Sequence, residues 1–176
     1  MRLLVCVWII SGLTGCTAAG RHPQRCKATN YFGEQRSGTD EGYSPACYKL
    51  QSKLIKAAGE GNLVDIREAL KDGANPNLPV DDSFPPLQTA AASGQTEAVR
   101  LLLDSGSQVN QISDFENTPL NAAAASGHSE VVKVLLERGA NACYRSAAGT
   151  AGDIARSKGH GELAAILKTA ERAKCK

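Results

Sequence analysis

The run Thr118-Pro119-Leu120-Asn121-Ala122-Ala123 decides the fold, together with Gly127-His128, Glu130-Val131-Val132 and the closing Gly139-Ala140-Asn141. Pro119 suits the first turn of a short helix, where its missing N–H costs nothing, and Thr118 is placed to cap that helix. The alanines let a neighbouring helix approach closely. Gly127 can take the left-handed backbone that ends a helix. Val131, Val134 and Leu135 recur with helical spacing and give a second helix one apolar face, which Gly139 terminates.

Outward from this stretch the chain repeats itself. Gly61, Gly94 and Gly127 are 33 residues apart, and Gly159 follows after 32. Gly73, Gly106 and Gly139 keep the same period of 33. Ala57-Ala58 returns as Ala90-Ala91 and Ala123-Ala124, and Ile66 to Leu70 returns as Val99 to Leu103 and Val132 to Leu136. A fixed period of this length marks a stack of small units, none of which buries its own apolar face alone.

The pattern resembles the ankyrin repeat. That family carries Thr-Pro-Leu-His, an alanine pair, Gly-His, an aliphatic run and Gly-Ala-Asp/Asn. The resemblance covers residues 49–173 and implies an all-α solenoid of about four helix-turn-helix repeats with short β-turn fingers. The units are expected at 49–77, 78–110, 111–143 and 144–173, the first and last being less regular, as terminal caps should be. Gln88 and Asn121 stand where the family has histidine, and Pro85 stands where it has the capping threonine. Thr150-Ala151-Gly152 replaces Thr-Pro-Leu in the fourth unit, and Cys143 falls where the other units have Asn77 and Asn110.

The resemblance further implies protein binding through a concave face made of the fingers and the first helix of each repeat. Carried over residue by residue, it puts Asp81, Asp82 and Phe84 on the second finger, Asp114, Phe115 and Asn117 on the third, and Arg145 and Ser146 on the fourth. Two of the chain's three Phe lie on fingers. Aromatics exposed on rigid turns make strong contacts. The plainer alternative is that each packs on an adjacent finger, beside Val80 or Ile112. With Asp81, Asp82, Asp114 and Glu116, this edge is acidic and favours a basic patch on a partner.

The N-terminus reads differently. Arg2 precedes a nearly continuous apolar run, Leu3 to Leu13, which is too short for a stable membrane span and has the order of an export signal. It runs into Leu13-Thr14-Gly15-Cys16, which resembles the lipobox of bacterial lipoproteins. That resemblance implies a signal peptide over 1–15, a lipidated Cys16 and a tether and loop over 16–48. A cut after Thr17-Ala18-Ala19 is the alternative. Two or more acyl chains would hold the protein firmly on a membrane facing the periplasm. The absence of Asp after Cys16 points to the outer membrane.

Four cysteines remain: Cys26, Cys47, Cys143 and Cys175. An even number in an exported chain reads as disulfides, with three possible pairings, of which proximity favours Cys26–Cys47 and Cys143–Cys175. Their spacing does not suit zinc, and no metal or cofactor is expected.

The 176 residues are 42% hydrophobic and 22% charged, an ordinary globular balance. Aromatics are 5% while Ala occurs 26 times, which favours short, closely packed helices over a sheet core. A net charge of +2 gives no broad basic field, so nucleic acid is not an expected partner. His128 and His160 sit at the repeat's own turn, and no hydroxyl has a neighbouring histidine–acid pair, so no enzyme is expected. The expected protein is a monomer when unbound, holding a partner near the membrane. It would either inhibit a toxin or hydrolase of the envelope, as an immunity protein does, or act as a scaffold for a periplasmic enzyme.

Overall fold

The structure is a computed structural model that describes residues 45–80 and 84–175. The described residues form eight helices: α1 (Pro45–Glu60), α2 (Leu63–Lys71), α3 (Pro86–Ala92), α4 (Thr96–Asp104), α5 (Pro119–Ser126), α6 (Ser129–Glu137), α7 (Ala151–Ser157) and α8 (Gly161–Lys174). They pair as α1/α2, α3/α4, α5/α6 and α7/α8, giving the four helix-turn-helix units expected. Among the described residues there is no sheet, only an isolated bridge between Ser146 and Gly149. Helix α1 begins at Pro45 and so runs across the boundary placed at 48/49.

Stacking follows the repeat. Helices α1, α3, α5 and α7 pack side by side in one layer, and α2, α4 and α6 in the other. The alanine pairs Ala57-Ala58, Ala90-Ala91 and Ala123-Ala124 are buried between helices of the first layer. Ile66, Val99 and Val132 occupy one register position of the second layer and are fully buried. Leu54, Leu87 and Leu120 recur in the first layer with almost no exposure, and removing any one would cost about 2–5 kcal/mol.

The starts of α2, α5 and α7 are capped by their own local side chains. Thr118 Oγ accepts from Asn121 N at 3.2 Å and caps α5. Thr150 and Asp153 form a reciprocal capping box on α7. Pro85 offers α3 no side-chain cap. Thr89 Oγ instead donates to the Pro85 carbonyl at 3.2 Å, one turn on.

Two devices join consecutive units. At the turn between a unit's helices, Gly94 has φ +73°, and a Cβ there would lie 2.6 Å from the His128 ring of the next unit. The His128 Nε2–H donates to the Ala92 carbonyl at 3.1 Å. Gln95 makes the equivalent reach one unit earlier, donating to the Gly59 carbonyl at 3.3 Å. These contacts account structurally for the Gly-His positions.

The second device is an asparagine clasp. Asn77 Nδ2 donates to the Gly106 carbonyl at 3.0 Å while its Oδ1 accepts from Gln108 N at 2.7 Å. Asn110 repeats both bonds, to the Gly139 carbonyl at 3.3 Å and from Asn141 N at 2.7 Å. Cys143 occupies the third such position and is joined instead by a disulfide to Cys175, with 5.7 Å between the Cα atoms. Helix α8 runs on through the place where the other units turn, so a covalent link at its end replaces the clasp. Cys47 is disulfide-bonded as well. The expected Cys26–Cys47 pairing lies outside the described residues, as do Cys16 and the signal peptide.

Candidate protein interface

The loops ahead of α5 and α7 are the fingers, and each is closed by a serine. In the third finger Ser113 N donates to the Asn117 carbonyl at 2.9 Å, and Glu116 N returns to the Ser113 carbonyl at 2.9 Å. In the fourth, Ser146 and Gly149 exchange both backbone bonds at 3.0 Å, and Ser146 Oγ donates to the Gly149 carbonyl at 3.1 Å. Ser146 is therefore used to shape its own loop.

Asn117 is also engaged internally. Its Oδ1 accepts from Thr118 N at 3.1 Å, and its carbonyl accepts from the Gln88 amide of the preceding unit. Gln88 thus bridges two units from the family's histidine position. The Gln88 Oε1 and Asn121 Nδ2 atoms are buried without a hydrogen-bond partner. Asn117 ties its finger to the start of α5 and, through Gln88 on α3, to the preceding unit, and its side chain is engaged within the loop.

Phe84 and Phe115 lie against each other across the second and third fingers. Their ring centroids are 5.3 Å apart and the planes are inclined by 57°. Such tilted pairs add about 0.5–1.5 kcal/mol beyond simple burial. The plainer alternative has each phenylalanine pack on an adjacent finger, beside Val80 or Ile112, and the rings do meet across adjacent fingers, each against the other. The pair is still open to solvent, with Phe84 38% and Phe115 60% exposed. Ile112, 53% exposed, lies on the same finger.

Glu116 follows Phe115 with φ +52°, the one non-glycine residue of the described chain in the left-handed region. A side chain there costs about 1–2 kcal/mol relative to an ordinary backbone. The conformation is fixed by the loop's own bonds and by Tyr144 of the fourth finger, whose hydroxyl donates to the Glu116 carbonyl at 3.3 Å. The sequence reading counted Glu116 only as one acid among several. Its backbone strain carries no signal in residue type, because a glutamate at a loop tip looks ordinary. Asp114 is exposed at the same tip. Asp81 and Asp82 lie outside the described residues.

Arg145 stands apart from this cluster. It is exposed and reaches Asp153 at 3.8 Å, the acid of the α7 capping box. Asp153 also pairs with Lys168 at 2.9 Å, and Lys168 with Glu171 at 2.8 Å. The Lys168 ammonium and the Thr150 donors hold the Asp153 carboxyl far below its ordinary range. Burial works against the Glu171 charge, yet bonds from Lys168 and Thr150 bring its carboxyl down as well. Glu171 and Asp153 together raise the Lys168 ammonium. This network fixes the last unit, whose finger is tipped by Ala147 and Ala148 and exposes Arg145 but no large apolar side chain.

Among the described residues no group of His, Cys, Asp and Glu is placed to hold a metal ion. None of their helices is long and apolar enough to cross a membrane.

A stack of helix pairs with projecting loops defines a helical-repeat binding protein. The family model for ankyrin repeats in three copies matches residues 54–146, and the chain belongs to the ankyrin-repeat family, a protein–protein interaction module. No curated protein matches the chain.

Proposed function

We propose that the second and third fingers bind a protein partner, and that the chain holds this partner at a bacterial membrane through lipid on Cys16. The observation that carries the binding reading is the Phe84–Phe115 pair, a shared aromatic contact left open at two adjacent tips. Asp114 and Glu116 beside it favour a basic patch on the partner and speed encounter. The order Arg2, apolar run and Leu13-Thr14-Gly15-Cys16 supports the anchor.

The proposed role is inhibition of a toxin or hydrolase that acts in the envelope, as an immunity protein would act. Four units with a preset finger pair suit one compact partner. A purified complex tests this role: a stoichiometric inhibitor abolishes the partner's activity, whereas activity kept or raised in the complex would make the protein a scaffold. Labelling with a palmitate analogue tests the anchor, since Cys16→Ala should give an uncleaved chain without label. Label at the level of the unaltered protein would rule lipidation at Cys16 out.

A further inference from the structure

The exposed end of the fourth unit departs from the units before it in a directed way. Arg156 of α7 occupies the register position of Ala58, Ala91 and Ala124, each of which is fully buried under the next unit. Gly152 replaces the leucine series Leu54, Leu87 and Leu120, and the vacated space is taken by the Glu171 carboxylate and the Lys168 stem. The result is an open cleft of about 530 Å³, lined by Arg156 and by Ala164, Lys168, Thr169 and Arg172 of α8.

A face that no further unit covers among the described residues has to be polar. That requirement does not explain the sign of the charge. The first unit, residues 45–77, carries five Lys and Arg against four Asp and Glu, with Lys53 paired to both Asp65 and Glu68. The last unit, residues 144–175, carries six against three.

Two of those three acids, Asp153 and Glu171, are committed to Lys168. The Lys168 ammonium has no donor to spare: it faces Asp153 at 2.9 Å and donates to Glu171 at 2.8 Å and to Thr150 Oγ at 3.3 Å. Arg156 and Arg172 have no acidic partner within ion-pair distance among the described residues. The cleft is therefore lined by two exposed arginines that no carboxylate among the described residues holds.

We propose that this cleft binds a phosphate monoester through Arg156 and Arg172. Guanidinium groups chelate phosphate and carboxylate alike, with paired, charge-assisted hydrogen bonds. A phosphate monoester carries about −1.5 to −2 charge at neutral pH and three acceptor oxygens, which matches two cations; one carboxylate would leave an arginine unmatched. The volume admits a small phosphorylated molecule or the headgroup of a lipid that ends in such a phosphate.

Calorimetric titration of the full-length chain tests the site with two soluble probes of shared chemistry, glycerol 3-phosphate and dihexanoyl phosphatidic acid. Dihexanoyl phosphatidylcholine, a diester, is the negative control. Arg156→Gln with Arg172→Gln should weaken binding of either probe by about tenfold or more. Lys158→Gln with Lys174→Gln removes the same charge outside the cleft lining and should change it less than about twofold. Arg156→Lys with Arg172→Lys keeps the charge and should still lose several-fold, because the fork is gone. Tighter binding of the phosphatidic acid than of glycerol 3-phosphate identifies a lipid source, and equal binding a soluble one. No saturable binding of either probe, or equal losses in the arginine and lysine pairs, would overturn the site.

Discussion

The third and fourth fingers start from the same plan and end differently. Each is closed by a serine whose hydroxyl meets the carbonyl at the loop's far end, from Ser113 to Asn117 and from Ser146 to Gly149. The fourth satisfies its left-handed position with Gly149 at φ +103° and carries alanines at its tip. Its arginine turns toward Asp153, and its unit is fastened by the Cys143–Cys175 disulfide and the Lys168 network. The third finger keeps a glutamate where backbone strain favours glycine, and it exposes an aromatic and an aliphatic side chain. One finger is built to close an array. The other retains features that its own stability does not require, and such features are where recognition is to be sought.

The largest expected effect falls on the closing side of this comparison. Cys143→Ser with Cys175→Ser removes a link across 32 residues and should lower the stability of the last unit by about 3–4 kcal/mol. Hydrogen exchange should show protection lost in α7 and α8 and kept in α3 to α6. Equal losses throughout would mean that the units open together and that the disulfide closes nothing local.

Asp153→Asn should cost the same unit about 1–2 kcal/mol at neutral pH by weakening its charge-assisted bonds. The pH dependence follows from sign. The Asp153 and Glu171 carboxyls are lowered in the folded chain, so their contribution is complete above the ordinary carboxylate range and is lost as pH falls toward the lowered values. Melting of the unaltered protein should therefore fall from about pH 5 downward, and the Asn variant should show a shallower slope. Parallel slopes would place the acid sensitivity elsewhere.

Glu116→Gly is the smallest change and the sharpest contrast. Relief of the left-handed strain, offset by glycine's greater freedom when unfolded, should leave stability unchanged or raise it by less than about 1 kcal/mol. Partner affinity should fall in the same variant. A loss of stability with unchanged affinity would make the glutamate a structural residue.

Much of this architecture was legible in the residues. The 33-residue spacing of Gly61, Gly94 and Gly127, with the alanine pairs, specified the stacked helix pairs, because only glycine leaves room for the next unit's Gln95, His128 and His160. The even cysteine count and sequence proximity pointed to the Cys143–Cys175 disulfide, but the asparagine clasp whose place it takes was not readable from residue type. The interface was only partly readable. Phe84 and Phe115 are 31 residues apart, and their pairing depends on how two loops lean in space. Asn117 and Ser146 looked available as polar loop residues, yet both are spent on their own fingers. The cationic end was hidden for another reason: the net charge of the whole chain is small, and only stacking shows which charges face an open end.

The central claim is that the open aromatic pair meets a protein partner. The direct test replaces Phe84 and Phe115 together by Ala and measures, on one preparation, the melting curve and the affinity for a partner captured by crosslinking. Lys133→Ala on the second helix layer, where Lys133 pairs with Glu130 at 3.3 Å, serves as the control. Binding should weaken by about 2–4 kcal/mol in the double variant and by only a few tenths of a kcal/mol in the control, with stability lowered by less than the binding loss, about 0.5–1.5 kcal/mol, in the double variant and unchanged in the control. A double variant that melts early yet binds normally when folded would contradict the claim and make the aromatic pair a brace between fingers.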